Sequence, residues 1–96
     1  MTDILQSDMN QALMMDGNAV AGTLSEVFAM EMTTSLAECV SCGKRSEMGG
    51  LLAFIQTPGF VLRCPACKDI VLRVVVTPDA YYLDARGALY LRLVRQ

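Results

Sequence analysis

The four cysteines of this chain form two C-x-x-C pairs, CVSC (39–42) and CPAC (64–67), separated by 21 residues. Two thiolates three residues apart can reach one metal ion from the same tight turn. Gly43 lets backbone N–H groups turn toward the first pair of sulfurs, and Pro65 stiffens the second turn. The spacing therefore predicts one tetrahedral four-sulfur metal site, with the ligands Cys39, Cys42, Cys64 and Cys67.

A closed four-sulfur site leaves no position for water, so we expect the metal to be structural and to be one zinc ion. One alternative is iron in the same cage, as in an electron carrier, because CVSCG and CPAC resemble the turns of rubredoxins. Lys68, however, stands where rubredoxins usually have glycine, and three Tyr, three Phe and no Trp make a sparse aromatic set. The same four cysteines could also form a dithiol redox switch, or be unrelated core residues.

Histidine is absent from the sequence. This removes the commonest general acid or base and every Ser-His or Cys-His nucleophile arrangement. Paired carboxylates, a glycine-rich phosphate loop and a nucleophile elbow are also lacking. We therefore predict that the chain is not an enzyme and that its function is a protein-interaction or accessory role.

Length and composition indicate one globular domain. The chain has 96 residues, of which 53% are apolar and 19% charged, a balance typical of folded proteins. No apolar run reaches the length of a membrane span. The first residues carry no Lys or Arg, whereas a secretory leader would begin with positively charged residues. We expect a cytoplasmic protein with no membrane partner, in which C-x-x-C pairs indicate metal or redox sites rather than disulfides.

Charge divides the chain into two halves. Residues 1–43 carry six acids and no base, whereas residues 44–96 carry all eight bases and four acids. Arginine suits phosphate, so a nucleic-acid-binding surface is the alternative function. The isoelectric point near 4.9 and the scattered positions of the bases argue against it. The arginines in question are Arg63, Arg73, Arg86, Arg92 and Arg95.

The N-terminal half predicts a helix over Met15–Met32. Val20, Leu24, Val27 and Phe28 repeat at helical spacing and form one apolar stripe. Asp16 is the candidate cap, and the DGN sequence at 16–18 indicates a turn with a helix cap rather than a binding site. Gly22 inside the helix suggests close approach to a sheet. Residues 1–14 are interpreted as an N-terminal extension and residues 15–96 as the domain.

After the first cysteine pair, the pattern changes to strands. LLAFIQ and FVLRC flank Thr57-Pro58-Gly59, which predicts a hairpin, and IVLRVVV predicts a further strand. YYLD and ALYLRLV flank Ala85-Arg86-Gly87, which predicts a C-terminal hairpin. Its Leu89, Leu91 and Leu93 would share one face, closed either by the helix or by a second subunit, so a homo-oligomer stays open. The predicted fold class is α+β.

CVSCG and CPAC together resemble the zinc-ribbon class over about Ala37 to Val75. This resemblance implies two hairpin tips around one zinc and an antiparallel ribbon sheet carrying the N-terminal helix and the C-terminal hairpin. The longer stretch from MDGNAVAGTLSEVFAMEMTT through both cysteine pairs, about Met15 to Val94, resembles a family of short bacterial proteins catalogued as a domain of unknown function. That resemblance implies the same four metal ligands and a protein partner, with an oxidoreductase as the candidate.

Overall fold

The computed structural model describes residues 14–95, so residues 1–13 of the predicted N-terminal extension lie outside the described part. Residues 14–95 form one short helix, α1 (Ala21–Phe28), and eight strands in two antiparallel sheets. In chain order the strands are β1 (Met14–Asp16), β2 (Leu36–Cys39), β3 (Arg45–Glu47), β4 (Leu52–Gln56), β5 (Gly59–Arg63), β6 (Ile70–Val76), β7 (Tyr81–Asp84) and β8 (Ala88–Arg92). The predicted α+β class is confirmed.

The helix is shorter than the sequence predicted. Met15 and Asp16 belong to β1, which pairs with β4, and a 3₁₀ turn (Gly17–Val20) precedes α1. The Asn18 N–H donates to Asp16 Oδ1 at 3.1 Å, so the predicted cap is confirmed, although it caps the 3₁₀ turn. Ala29 is left-handed with φ 58°, which ends α1 well before Met32.

The predicted apolar stripe of the helix faces the core. Val20 and Leu24 are buried, and Val27 and Phe28 pack half-buried against the same cluster. The proposed reason for Gly22 was wrong, because a Cβ there would meet nothing within 4 Å. Close approach occurs instead at Gly59 in β5, where a Cβ would lie 1.9 Å from the carbonyl oxygen of Val74 in β6.

The larger sheet has the strand order β1-β4-β5-β6-β7 and contains the hairpin predicted around Thr57-Pro58-Gly59. Its inner face is buried against the rest of the core and carries Ala53, Phe60, Leu62, Leu72 and Val74. Its outer face carries the alternate residues, including Phe54, Val61, Arg73, Val75, Tyr82 and Asp84. A register shift between β5 and β6 leaves Val71 as an extra residue, so that Val71 and Leu72 are both buried.

The predicted C-terminal hairpin was wrong. β7 pairs with β6 in the five-stranded sheet, whereas β8 pairs with β2 in the smaller sheet, whose order is β3-β2-β8. The short connection after Asp84 therefore carries the chain from one sheet to the other. The predicted leucine face is broken as well, because a bulge opposite Glu38 and Cys39 leaves Leu89 62% exposed while Leu91 packs against the core.

One continuous core joins α1 to both sheets. Leu24 and Met32 from the helical region, Ala37 from β2 and Leu62 and Leu72 from the larger sheet belong to one cluster of buried side chains. Cys39 and Cys64 are members of the same cluster, so the cysteine pairs are attached directly to the core. Among the described residues, no helix has both the length and the apolar character needed to cross a bilayer.

Candidate metal centre

The first C-x-x-C pair lies in the turn between β2 and β3. Cys39 is the last residue of β2, and its N–H donates to the Lys44 carbonyl oxygen at 2.9 Å. The Gly43 N–H donates back to the Cys39 carbonyl oxygen at 2.9 Å, with Gly43 at φ 79°. This left-handed glycine closes the turn, and its own N–H bonds to a carbonyl oxygen rather than to a sulfur.

The second pair repeats this arrangement between β5 and β6. The Cys64 N–H donates to the Asp69 carbonyl oxygen, and the Lys68 N–H donates to the Cys64 carbonyl oxygen, both at 2.9 Å. Lys68 has φ 69°, the conformation that Gly43 adopts in the first turn. The lysine at this position therefore does not prevent the turn from forming.

Arg63 fastens the second turn to the sheet. Its Nη1 donates to the Lys68 carbonyl oxygen at 2.8 Å, while its guanidinium carbon lies 5.7 Å from the centre of the Phe54 ring. The sequence alone makes Arg63 a candidate phosphate ligand. In the folded chain it supports the turn that carries Cys64 and Cys67.

The two turns bring all four predicted ligand atoms together. The Sγ atoms of the four cysteines lie within 4.8 Å of one another. Each of the two short contacts joins one turn to the other, with Cys39–Cys67 and Cys42–Cys64 both at 3.6 Å. The cysteines are free thiols, and 3.6 Å is far beyond the ~2.05 Å of a disulfide bond.

These distances fit a tetrahedral metal. Four sulfurs at about 2.3 Å from a central ion would lie about 3.8 Å apart, close to the contacts in this cluster. Thiolate sulfur is the donor that zinc, iron and copper(I) share, so the donor set restricts the choice of metal without fixing it. The residues present therefore fit one metal ion bound by four thiolates.

Burial differs within the cluster. Cys39 and Cys64 are buried, Cys67 is half-buried and Cys42 is exposed. The first cysteine of each pair is therefore buried in the core, and the second lies on the turn with its side chain at least partly exposed. This arrangement places the cluster at the surface edge of the core, where a metal ion can enter.

The thiol pKa values follow from this placement. Burial would raise the pKa of Cys64, but N–H groups of Cys67 and Ala66 and the neighbouring thiols lower it to about 7. For Cys67, the N–H of Asp69 favours the thiolate, but burial and the three other thiols raise the pKa to about 12. The Cys64 thiolate therefore forms readily and opposes ionisation of Cys67, and a cation bound between the sulfurs would favour the thiolate forms.

Gly87, which the sequence places in a hairpin turn, lies between the two cysteine turns. The Val40 N–H of the first turn donates to the Gly87 carbonyl oxygen at 2.9 Å. On its other side, a Cβ at Gly87 would lie 1.8 Å from the carbonyl oxygen of Ile70, which begins β6 just after the second turn. By itself the Ala85-Arg86-Gly87 sequence predicts a hairpin turn, and nothing local indicates these distant contacts.

The remaining sequence candidates lie outside the cysteine cluster. Arg86 contacts both carboxylate oxygens of Asp84, with Nη2 to Oδ2 at 2.7 Å, and lowers the pKa of that carboxyl to about 2. Arg73, Arg92 and Arg95 are exposed, and Arg73 lies opposite Asp84 in the register of β6 with β7. The DGN turn is tied to the second 3₁₀ turn (Met48–Gly50), because Asn18 Nδ2 donates to the Gly49 carbonyl oxygen at 3.4 Å.

Fold and site together define a mixed α+β protein with a four-cysteine cluster able to hold a metal ion. The chain belongs to a family of unknown function, DUF6510, which it matches over residues 6–96. The predicted membership of a family of unknown function is confirmed, and the match begins before Met15, where the resemblance began. No curated protein and no solved structure is similar to this chain.

Proposed function

We propose that the chain is a small non-enzymatic module whose fold is clamped by one structural zinc ion, with a zinc-ribbon arrangement around that ion. The observation that supports this is the convergence of four Sγ atoms, two from each turn, within 4.8 Å. Each turn joins two antiparallel strands, β2 to β3 and β5 to β6. A zinc ion there would join the smaller sheet to the larger one.

A structural role follows from the number of ligands. Four protein thiolates satisfy tetrahedral zinc completely and leave no coordination position for a substrate. Cys39 and Cys64 are continuous with the hydrophobic core, so a bound ion would stabilise the packing of both sheets. We also propose a cytoplasmic location, where thiols stay reduced and bind metal ions rather than form disulfides.

Metal content tests this proposal. Protein purified under reducing conditions should be colourless and contain one zinc per chain. A coloured protein containing one iron would instead support the rubredoxin-like alternative. A folded protein that binds neither metal would contradict both.

A cysteine variant with a matched control sharpens the test. Cys64→Ser removes a ligand anchored in the core and should abolish stoichiometric zinc binding. Ser41→Ala changes an exposed residue within the first turn and should leave binding intact. Equal zinc content in both variants would contradict the four-sulfur site.

We propose that the module acts by binding a protein, with an oxidoreductase as the candidate class of partner. Exposed apolar side chains on β7 and β8, including Tyr82 and Leu89, support an interaction role. Nucleic-acid binding stays an alternative prediction, and two of its arginines, Arg63 and Arg86, already bond within the chain. That alternative requires binding to an oligonucleotide that weakens steeply as salt rises.

A further inference from the structure

The strand β7 (Tyr81–Asp84) forms one edge of the five-stranded sheet. Within residues 14–95, β6 is the one strand that pairs with it. Alternate N–H and C=O groups on the far side of β7 are therefore available to another strand. Tyr81, Tyr82 and Leu83 are consecutive large apolar residues that are 43%, 64% and 43% exposed.

The remaining edges of the two sheets are less suited to pairing. Within residues 14–95, β1 has three residues, and β3 carries the charged residues Arg45 and Glu47, which discourage strand addition. β8 is interrupted by the bulge at Leu89. β7 keeps a regular register with β6 along its whole length, so its outer edge presents a regular template.

A shallow groove of about 460 Å³ runs beside β7. Val75 and Tyr82, which are cross-strand partners, supply apolar lining. Arg73 and Arg86 line the same groove together with Asp84. The lining is therefore apolar along the strand and charged at one end.

The charged end of the groove has an excess of positive charge. Arg86 is held against Asp84 through its Nε and Nη2, and Arg73 lies across from Asp84 in the strand register. Arg86 is paired with Asp84 and Arg73 forms no ion pair within the described residues, so two guanidinium groups face a single carboxylate. Within the described residues, Arg86 Nη1 and the whole guanidinium of Arg73 have no hydrogen-bond partner, so a further carboxylate would find donors there.

We propose that β7 and this groove bind an extended, acidic segment of another protein, which adds a strand to the sheet. Its backbone pairs with the outer edge of β7, an apolar side chain covers Val75 and Tyr82, and an Asp or Glu contacts Arg73 and Arg86. The inference rests on the proposed interaction role and names the partner's chemistry. Net positive charge at the groove favours an acidic segment over a basic one.

The test uses the full chain loaded with zinc and a short synthetic peptide of alternating valine and glutamate. Backbone-amide NMR should show saturable shifts centred on Tyr81–Asp84. A valine–lysine peptide should bind about tenfold more weakly, because the charge-assisted contact is lost. The valine–glutamate peptide with alternate backbone nitrogens methylated should also bind about tenfold more weakly, because it cannot form the strand hydrogen bonds.

Variants locate the charge contact. Arg73→Gln together with Arg86→Gln should weaken binding of the valine–glutamate peptide about tenfold. Arg92→Gln, at the end of β8 in the smaller sheet, is the matched control and should not change it. Equal affinity in both proteins would overturn the proposal.

Four further results would also overturn it. These are no binding, shifts confined to β8, equal affinity for the lysine and glutamate peptides, or tighter binding of a single-stranded oligonucleotide at the same site. A native mass of two chains, together with chemical-shift changes at β7 that disappear when the protein is diluted, would identify a second copy of this chain as the occupant. That result would overturn the proposed acidic partner. Zinc content measured on the same sample separates this failure from failure of the proposed zinc module.

Discussion

Lys68 and Gly43 occupy equivalent positions in the two C-x-x-C turns and share a left-handed backbone, with φ 69° and 79°. Glycine adopts this conformation without strain, whereas for a residue with a Cβ the left-handed conformation costs roughly 1–2 kcal/mol of conformational free energy. The Lys68 ammonium donates to the Pro65 carbonyl oxygen within its own turn, a solvent-exposed bond that offsets part of the strain. The second turn is therefore the more strained of the two.

We predict that Lys68→Gly stabilises the zinc-loaded protein by about 0.5–1 kcal/mol, because the strain is removed and one exposed hydrogen bond is lost. Gly43→Ala should destabilise it by about 1 kcal/mol, because the same strain is introduced in the first turn. Urea midpoints of both variants measure the effect. Destabilisation by Lys68→Gly would show that the lysine side chain contributes more than its backbone costs.

Tyr81 links β7 to α1 through one hydrogen bond. Its hydroxyl donates to Glu26 Oε2 at 2.6 Å, and this bond, together with burial and the carboxylate charge, raises the pKa of Tyr81 above its usual value near 10. The raised pKa means that the folded state favours the neutral phenol. The resulting stability is fully present below about pH 10 and is lost as the pH rises through the folded pKa.

We predict that an ultraviolet absorbance titration, which no tryptophan obscures, contains a tyrosine component from Tyr81 that ionises above the usual pKa near 10. Glu26→Gln should return that tyrosine toward the ordinary pKa, because the charge and the strong acceptor are lost. Glu31→Gln is the matched control, since Glu31 bonds to Thr33 rather than to a tyrosine. Unchanged titration in Glu26→Gln would contradict the bond.

Among the elements, α1 keeps its predicted apolar stripe but carries a glycine that its packing does not require. Gly22 is exposed, and a Cβ there would meet nothing within 4 Å. We predict that Gly22→Ala raises the free energy of unfolding by about 0.5–1 kcal/mol, because alanine restricts the unfolded chain and favours the helix. A thermal or urea melt measures this. A loss of stability would indicate a contact of Gly22 that residues 14–95 do not include.

The connection between β7 and β8 contacts the cysteine turns, a role that its sequence does not indicate. Gly87 touches the start of β6 and accepts a hydrogen bond from the first cysteine turn. We predict that Gly87→Ala destabilises the protein by about 1–3 kcal/mol and weakens zinc binding, because its Cβ would displace backbone between the turns. Competition with a zinc-chelating dye measures the affinity.

Gly50→Ala is the control for Gly87→Ala, because a Cβ at Gly50 would meet nothing within 4 Å. It should leave both stability and zinc affinity nearly unchanged. If the two alanine variants behave alike, the close contact of Gly87 with Ile70 does not hold the turns together.

For the whole molecule, the cysteine cluster connects two sheets that each depend on the same core. Structural zinc contributes about 10–16 kcal/mol in small zinc-binding peptides, comparable to the 5–15 kcal/mol stability of a typical domain. A metal ion at the cluster would therefore supply much of the free energy that keeps the sheets together.

We predict that a chelator lowers the thermal unfolding midpoint by more than about 10 °C, since a domain of this size shifts about 4–8 °C per kcal/mol. Acidification should release the metal, because thiolates must take up protons as it leaves. Circular dichroism with and without chelator, with zinc re-addition as the control for reversibility, measures the change. An unchanged midpoint would show that the core is sufficient alone.

The sequence by itself determined several local features of this protein: the two C-x-x-C turns, the β4–β5 hairpin, the apolar stripe of α1 and the cap at Asp16. Each depends on residues a few positions apart, where turn geometry and side-chain periodicity act directly. The tertiary structure alone decided that β7 and β8 join different sheets, that Gly87 lies between the turns and that α1 ends at Phe28. Those outcomes depend on pairing between strands that are distant in the sequence. The free energy of that pairing comes from burying a shared core, and no periodic pattern within one strand identifies its partner.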